Sequence, residues 1–284
     1  MQAYFDNAAT TQLDPTVLED MLPYFTETYG NASSTHGIGR KAKAGLEQSR
    51  KAIAKAINAS PQEIYFTSGG TESDNTILRG AVSSCGIKHA ISSPLEHHAV
   101  LHTLEAMEQE GRITLHLLTP NAQGDFDLSE LQSLLSQYPS ALVSLMHGNN
   151  EIGNLIDLKR VGEVCEQHNA FFHSDTVQTM GYYPIDVKEA RVHALVGSAH
   201  KFHGPKGVGF LYLRKGQKLN SFIMGGSQER GFRGGTENVP SIIGMAKALT
   251  LAVEQQEAHS KYILELKGYM KRQLEEQIPG VKFN

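Results

Sequence analysis

The stretch Ile64-Tyr65-Phe66-Thr67-Ser68-Gly69-Gly70-Thr71-Glu72-Ser73-Asp74-Asn75 decides the fold. Its first four residues are apolar, aromatic or β-branched and predict a strand over 64–67. Ser68-Gly69-Gly70-Thr71 reads as a turn, and the pattern from Glu72 to Val82 predicts a helix. A turn that ends a strand and opens a helix presents unpaired N–H groups and the positive end of the helix dipole, so it is a candidate phosphate cup. Taken alone, the same motif is also a plain strand-to-helix turn. The alternation continues downstream, with strands expected over 89–92, 113–118, 141–146, 171–173, 192–196 and 208–213. Helices are expected over 96–110, 128–135 and 158–168. Upstream, an amphipathic helix over 17–25 follows Asp14-Pro15, and a second runs over 38–58. Strands alternating with helices of this length predict an α/β fold with a mainly parallel mixed sheet covered by helices on both faces. Ligands of such sheets gather at the carboxyl ends of the strands.

Composition limits the function classes. A chain of 284 residues that is 40% hydrophobic can bury a large core, enough for one large domain or one and a half. No run approaches the roughly 20 apolar residues of a membrane span. The opening Met1-Gln2-Ala3-Tyr4-Phe5-Asp6 has no charged-then-apolar leader, so a soluble, cytoplasmic protein is expected. The net charge of −4, with both signs interspersed, argues against nucleic acid or an anionic membrane as partner. Among thirteen His the paired spacing is His97-His98, whose side chains diverge on a helix, so no metal site is expected. Cys85 and Cys165 make no disulfide framework and fit a reducing compartment.

Polar clusters fall where the strands should end. Glu96-His97-His98 follows one strand; a single His there is more often structural than catalytic. His147-Gly148-Asn149-Asn150-Glu151-Ile152-Gly153 places two amides after an apolar run, where buried Asn side chains must find partners. In His173-Ser174-Asp175-Thr176-Val177-Gln178, Asp175 follows Phe171-Phe172 closely enough to be desolvated, and a buried carboxylate needs a cation or strong donors. Finally, Lys201 lies in Ser198-Ala199-His200-Lys201-Phe202-His203-Gly204-Pro205-Lys206-Gly207, among small and hydroxyl residues. A lysine does covalent chemistry when a dry or cationic setting keeps its amine neutral. A phosphate cup, a buried Asp, a ring-stacking His and such a lysine are together what pyridoxal 5'-phosphate requires. A nucleotide site is the competitor, but G-x-G-x-x-G and G-x-x-x-x-G-K-[ST] are both missing.

These residues resemble the pyridoxal-phosphate-dependent cysteine desulfurases, class V aminotransferase-like enzymes of the nitrogen-fixation and iron–sulfur-assembly type. The motifs that carry the resemblance are Asp6-Asn7-Ala8-Ala9-Thr10-Thr11, Gly30-Asn31-Ala32-Ser33-Ser34, the 66–75 segment, Asn149-Asn150-Glu151-Ile152-Gly153, His200-Lys201 through Gly209, and Arg233-Gly234-Gly235-Thr236-Glu237-Asn238. They occur in family order from residue 6 to residue 240. The resemblance implies a fold-type I large domain and L-cysteine as substrate. It implies that Lys201 anchors the cofactor covalently, Asp175 binds its ring nitrogen, Gln178 its phenolic oxygen, and His97 stacks on the ring. It also assigns Gly70, Thr71, Ser198 and His200 to the phosphate, with Thr236 supplied by the neighbouring subunit of a homodimer. Asn150 would lie near ring and substrate, and Asn31 would help hold the substrate carboxylate. The implied products are alanine and an enzyme persulfide, passed to an iron–sulfur scaffold or another sulfur acceptor.

The same resemblance calls for a nucleophilic cysteine on a loop reading roughly Ser-Ser-Gly-x-Ala-Cys beyond a long helix expected over 239–278, and for an arginine that clamps the substrate carboxylate. Neither is present in this sequence. Cys165 shares a helical stripe with Leu158, Val161 and Val164, which suits packing, and Cys85 lacks a setting that would activate it. The expected organisation is therefore an arm over 1–14 belonging to a small domain, a cofactor-binding large domain over 15–256, and a helix over 257–284 that begins an incomplete small domain. An aminotransferase, a C–S lyase and a catalytically silent cofactor-binding fragment are the alternatives.

Overall fold

The computed structural model describes residues 3–283. Helix α1 (Pro15–Thr26) starts where Asp14 accepts the Thr16 amide at 2.7 Å and Pro15 occupies the first turn. Helix α2 (Gly37–Ala56) follows a polar loop. Strand β1 (Ile64–Thr67) leads into α3 (Gly70–Cys85), which stops at Gly86 with φ +67°, the left-handed conformation glycine tolerates. Then come β2 (His89–Ser92), α4 (His98–Gln109), β3 (Thr114–Leu117), α5 (Leu128–Gln137), β4 (Leu142–Ser144), α6 (Leu158–Gln167) and β5 (Phe171–Asp175). Asp127 and Asp157 cap α5 and α6 through the amides of Ser129 and Arg160. Strands β6 (Ala194–Ser198) and β7 (Gly209–Leu213) precede α7 (Val239–Glu254) and α8 (Gln256–Gln277).

The seven strands among the described residues lie in the order β1-β7-β6-β5-β4-β2-β3. Four neighbouring pairs, from β6 to β3, are parallel; β7 runs antiparallel to both β6 and β1. Two reversals cancel, so β1 points the same way as β2 through β6. The carboxyl ends of β1, β4, β5 and β6 therefore share one edge, and β7 begins there: Gly209 pairs with Thr67 on one side and Ser198 on the other. Every residue of β5, β6 and β7 is buried, as expected of strands covered on both faces. Ile53, Val143, Phe172, Leu195, Tyr212 and Met245 belong to the core on one face; Ile77, Leu104, Phe171, Val196 and Leu211 belong to the core on the other.

The α/β sheet and its mixed character are as the sequence predicts, with two refinements. Strand β5 extends to Asp175, so the acidic residue closes the strand instead of following it. The single helix expected over 239–278 is two helices broken at Gln255, whose φ and ψ of −100° and 1° leave the helical region. The break separates an apolar helix from one of mixed composition: α7 is buried along one face, whereas α8 buries no residue. Among the described residues no helix is long and apolar enough to cross a membrane.

Glycine is structurally required where β7 starts. A Cβ on Gly209 would lie 2.6 Å from the Gly197 carbonyl oxygen and 2.7 Å from Gly69 Cα, against backbone that cannot rotate away. Gly209→Ala is expected to cost about 1–3 kcal/mol of stability through overpacking, read by urea unfolding, and to displace the Gly69-Gly70 turn at the same time.

Candidate active site

The common strand edge gathers most of the predicted residues. Asp175 closes β5 and is 4% exposed. The Val177 amide donates to it at 2.8 Å. Burial raises its pKa above the ordinary carboxylate value, opposed by that amide and by the nearby charges of His97 and Lys201. Lys201 lies in the short turn after β6, half-buried, and donates to the carbonyl oxygens of Ala8 and, at 3.1 Å, Ala9. Desolvation lowers its pKa, partly offset by Asp175 and Asp6. The carboxylate and the amine thus act on each other electrostatically, each favouring the charged form of the other.

The strand-to-helix turn forms a cradle. Gly69, at φ +153°, precedes α3, and the first amides of the helix, those of Gly70, Thr71 and Glu72, have no intrahelical acceptor. A Cβ on Gly70 would meet Val177 Cγ2 at 2.8 Å, and one on Gly69 would sit 3.7 Å from Ser198 Oγ. Side chains are thereby kept out of the space before the helix N-terminus, and Ser198 and Val177 border it. A hydroxyl, free amides and a helix start suit a phosphate group. With the Asp175–Lys201 couple beside it, the residues present fit pyridoxal 5'-phosphate.

His97 and Gln178 approach from other elements. His97 caps α4, its Nδ1 accepting from the Ala99 amide at 3.1 Å, and lies within electrostatic reach of Asp175. Gln178 Nε2 donates to Ala8 O at 3.0 Å, so Gln178 and Lys201 hold the same arm residue. His200 contacts Thr10 Oγ1 through Nδ1 at 3.1 Å, and its carbonyl accepts from both the amide and hydroxyl of Thr11. The arm over residues 8–14 is laced to the lysine turn by these bonds and by Asp14 N to His203 O.

Three predicted residues make only local contacts. Asn150 Nδ2 bonds Glu151 at 2.7 Å; it is Asn149 that reaches inward, to Leu95 O at 2.7 Å. Asn31 turns its Oδ1 to the Ser33 amide in its own loop, and Thr236 is exposed on the glycine loop before α7. Of the two thiols, Cys165 is fully buried on α6, and desolvation pushes its pKa far up; Cys85 is raised as well and lies at the end of α3 remote from the sheet edge. Among the described residues no group of three His, Cys, Asp or Glu side chains is arranged to hold a metal ion. A cleft of about 530 Å³ opens beside Lys201, walled by Asn7, Gln178 and Tyr182 and roofed by His259 and Ile263 of α8.

One pair behind the site escaped the sequence reading. His173 Nε2 lies 3.3 Å from Asp74 Oδ1, both groups essentially inaccessible to water, while Nδ1 contacts Ser144 Oγ at 2.9 Å. The two-residue period of a strand puts His173 on the same face as Asp175. Burial, with Asp175 and Glu96 nearby, raises the Asp74 pKa strongly, and burial lowers that of His173 to about 3. In a site this dry each group carries least penalty uncharged, the Asp74 carboxyl protonated and the His173 ring neutral. The His173 ring is therefore expected to stay neutral from pH 5 to pH 8, with flat ring-nitrogen NMR shifts; a titration within that interval would contradict the assignment.

Comparison with known proteins places the chain. The aminotransferase class-V family model matches residues 3–284. Cysteine desulfurase IscS of Clostridium botulinum is 42% identical over the whole chain, which covers 71% of that relative; IscS of Dictyoglomus turgidum is 44% identical, with 72% covered. Among solved structures, a NifS-like protein superposes with a TM-score of 0.93 at 40% identity, over 96% of this chain and 76% of its own. A structure described as SspA in complex with cysteine gives 0.84 at 35% identity, over 87% and 72%. The chain belongs to the class-V aminotransferase family, among the cysteine desulfurases.

Proposed function

We propose that this chain is the cofactor-binding portion of a cysteine desulfurase that converts L-cysteine to L-alanine and delivers the sulfur, as a persulfide, to an iron–sulfur scaffold or another sulfur carrier. The observation that carries the reading is the convergence, on one strand edge, of a half-buried Lys201 amine, the buried Asp175 carboxylate and the Gly69–Ser198 cradle. Pyridoxal 5'-phosphate would be held by Lys201 through its amine, by Asp175 at the ring nitrogen, by Gln178 at the phenolic oxygen and by the His97 ring. Gly70, Thr71, Ser198 and His200 would take its phosphate, with Thr236 of a second copy in a homodimer. When bound, the cofactor supplies an electron sink for charge developing at the substrate Cα.

The protein's own groups determine how that sink is used. Asp175, ionised, favours a protonated ring nitrogen, and a buried site strengthens that interaction. Lys201 Nζ, with its pKa lowered, is suited to take the Cα proton as a general base and to return one. Asn150 and Asn31 are assigned to substrate by family resemblance, and the complex of SspA with cysteine supports cysteine as the substrate class. Cys165 is sealed in a helix face and Cys85 lies at the end of α3 opposite the cradle, so neither is assigned as the attacking thiol. That role falls to a cysteine outside this chain, as do the remaining contacts to the substrate carboxylate. Residues 15–256 form the cofactor-binding domain in this reading, with 1–14 and 257–284 belonging to a small domain.

The test uses cofactor-loaded protein with cysteine and a reductant, and follows alanine, pyruvate and sulfide. Alanine with sulfide supports the desulfurase, pyruvate indicates a C–S lyase, and no product indicates a binding protein. Exchange of the cysteine Cα proton into deuterated water isolates the step that needs no thiol. Lys201→Ala is expected to slow that exchange by at least about 10²-fold, and borohydride reduction to leave the pyridoxyl label on Lys201. Exchange unchanged in Asp175→Asn would remove the assigned role of Asp175.

A further inference from the structure

The phosphate cradle contains an anomaly of charge. Glu72 stands in the first turn of α3, two residues after Gly70, with its side chain 9% exposed. Its carboxylate accepts the Ser68 amide at 2.9 Å, on the turn that forms the cradle. An acidic group in the first turn stabilises a helix through the dipole, but in a cradle for a dianion it offers repulsion and competes for the same positive helix end. Arg233 meets it in a two-bond fork, Nε to Oε1 at 2.8 Å and Nη2 to Oε2 at 3.1 Å. This fork and the Ser68 bonds hold the Glu72 pKa below its ordinary value against burial.

Arg233 is not the sole anchor of its loop. The segment before it is anchored by Glu229, which takes two bonds from the buried Arg50 guanidinium, both 2.8 Å, and a third from the Phe66 amide. Phe232 packs on Tyr65 with ring centroids 4.7 Å apart, and the Gly234 amide bonds Ile223 O at 2.9 Å. Glu229 already has its own cation in Arg50. The acidic groups left to Arg233 are Glu72 and Glu237, and Glu72 is the one it touches.

We propose that Arg233 and Glu72 are a charge-balancing pair of positioning residues for the cofactor phosphate: Glu72 shapes the Ser68–Thr71 turn, and Arg233 cancels its charge so that the cradle accepts a dianion. The inference rests on the assignment of that cradle to the phosphate. It differs from loop anchoring in predicting that the loss caused by removing the cation is repaired by removing the anion.

Equilibrium dialysis of the apoprotein against pyridoxal 5'-phosphate and against pyridoxal, which lacks the phosphate, tests it. Arg233→Gln is expected to weaken binding of the phosphorylated compound at least tenfold and to change pyridoxal binding less than threefold. Glu72→Gln, which keeps an acceptor for the Ser68 amide, is expected to bind the phosphorylated compound at least as tightly as the wild type. The double variant Glu72→Gln/Arg233→Gln is expected to return to within about threefold of wild type. A double variant as weak as Arg233→Gln, or an equal loss for pyridoxal, overturns the charge-balance role and leaves the cradle assignment intact. Equal wild-type binding of the two compounds overturns the cradle assignment itself, and the inference with it.

Discussion

Asp175 is a carboxylate at the end of a strand buried on both faces, without an Arg or Lys bonded to it. Such a group is stable only if something neutralises it, by proton or by cation. Much of the surrounding architecture answers that requirement. The antiparallel β7 allows the turn after β6 to bring Lys201 back toward β5, and the cap position of α4 brings His97. The Asp74–His173 pair lies on the same side of the sheet and, when neutral, adds no second negative charge. The charge of Asp175 is thereby left without a bonded cation of the chain's own, which suits the pairing with a cofactor ring nitrogen proposed above.

The lysine has the complementary constraint. Its amine is held by carbonyls of the arm, through Ala8 and Ala9, in a position that also engages Gln178. The groups that hold the arm are therefore partly the same as those proposed above to hold the cofactor. Thr10 and Thr11 fasten to His200, one residue from Lys201, so the arm remains attached to the turn even when the amine is otherwise engaged.

Much of this was legible from residue patterns. The strand–turn–helix period at 64–82 and its repeats fix the sheet class, because alternation and length are local properties of the chain. The lysine turn and the carboxylate after Phe171-Phe172 were readable for the same reason. What remained hidden depends on distant pairing. Nothing local joins Glu72 to Arg233, separated by 161 positions, or Asp74 to His173. The break at Gln255 was hidden by a helical period that continues through it, although the change from an apolar to a mixed composition marks the place. Asn150 came from family resemblance, and the adjacency of the two amides could not reveal that its neighbour Asn149 reaches across to Leu95 O. His173 could have been found from its spacing of two from Asp175, since a strand places both on one side.

Helix α8 has a consequence for the time-dependent behaviour of the molecule. It is 22 residues long yet buries none of them, and Tyr262, Ile263, Leu264, Leu266, Tyr269 and Met270 are all exposed. A helix in that condition draws little on tertiary packing, the source of most helical stability in proteins, and leans on intrinsic propensity instead. Its amides should exchange with solvent hydrogen far sooner than those of α7, as a separate low-stability unit. Because His259 and Ile263 roof the cleft beside Lys201, each opening of α8 would also widen the approach to the lysine amine.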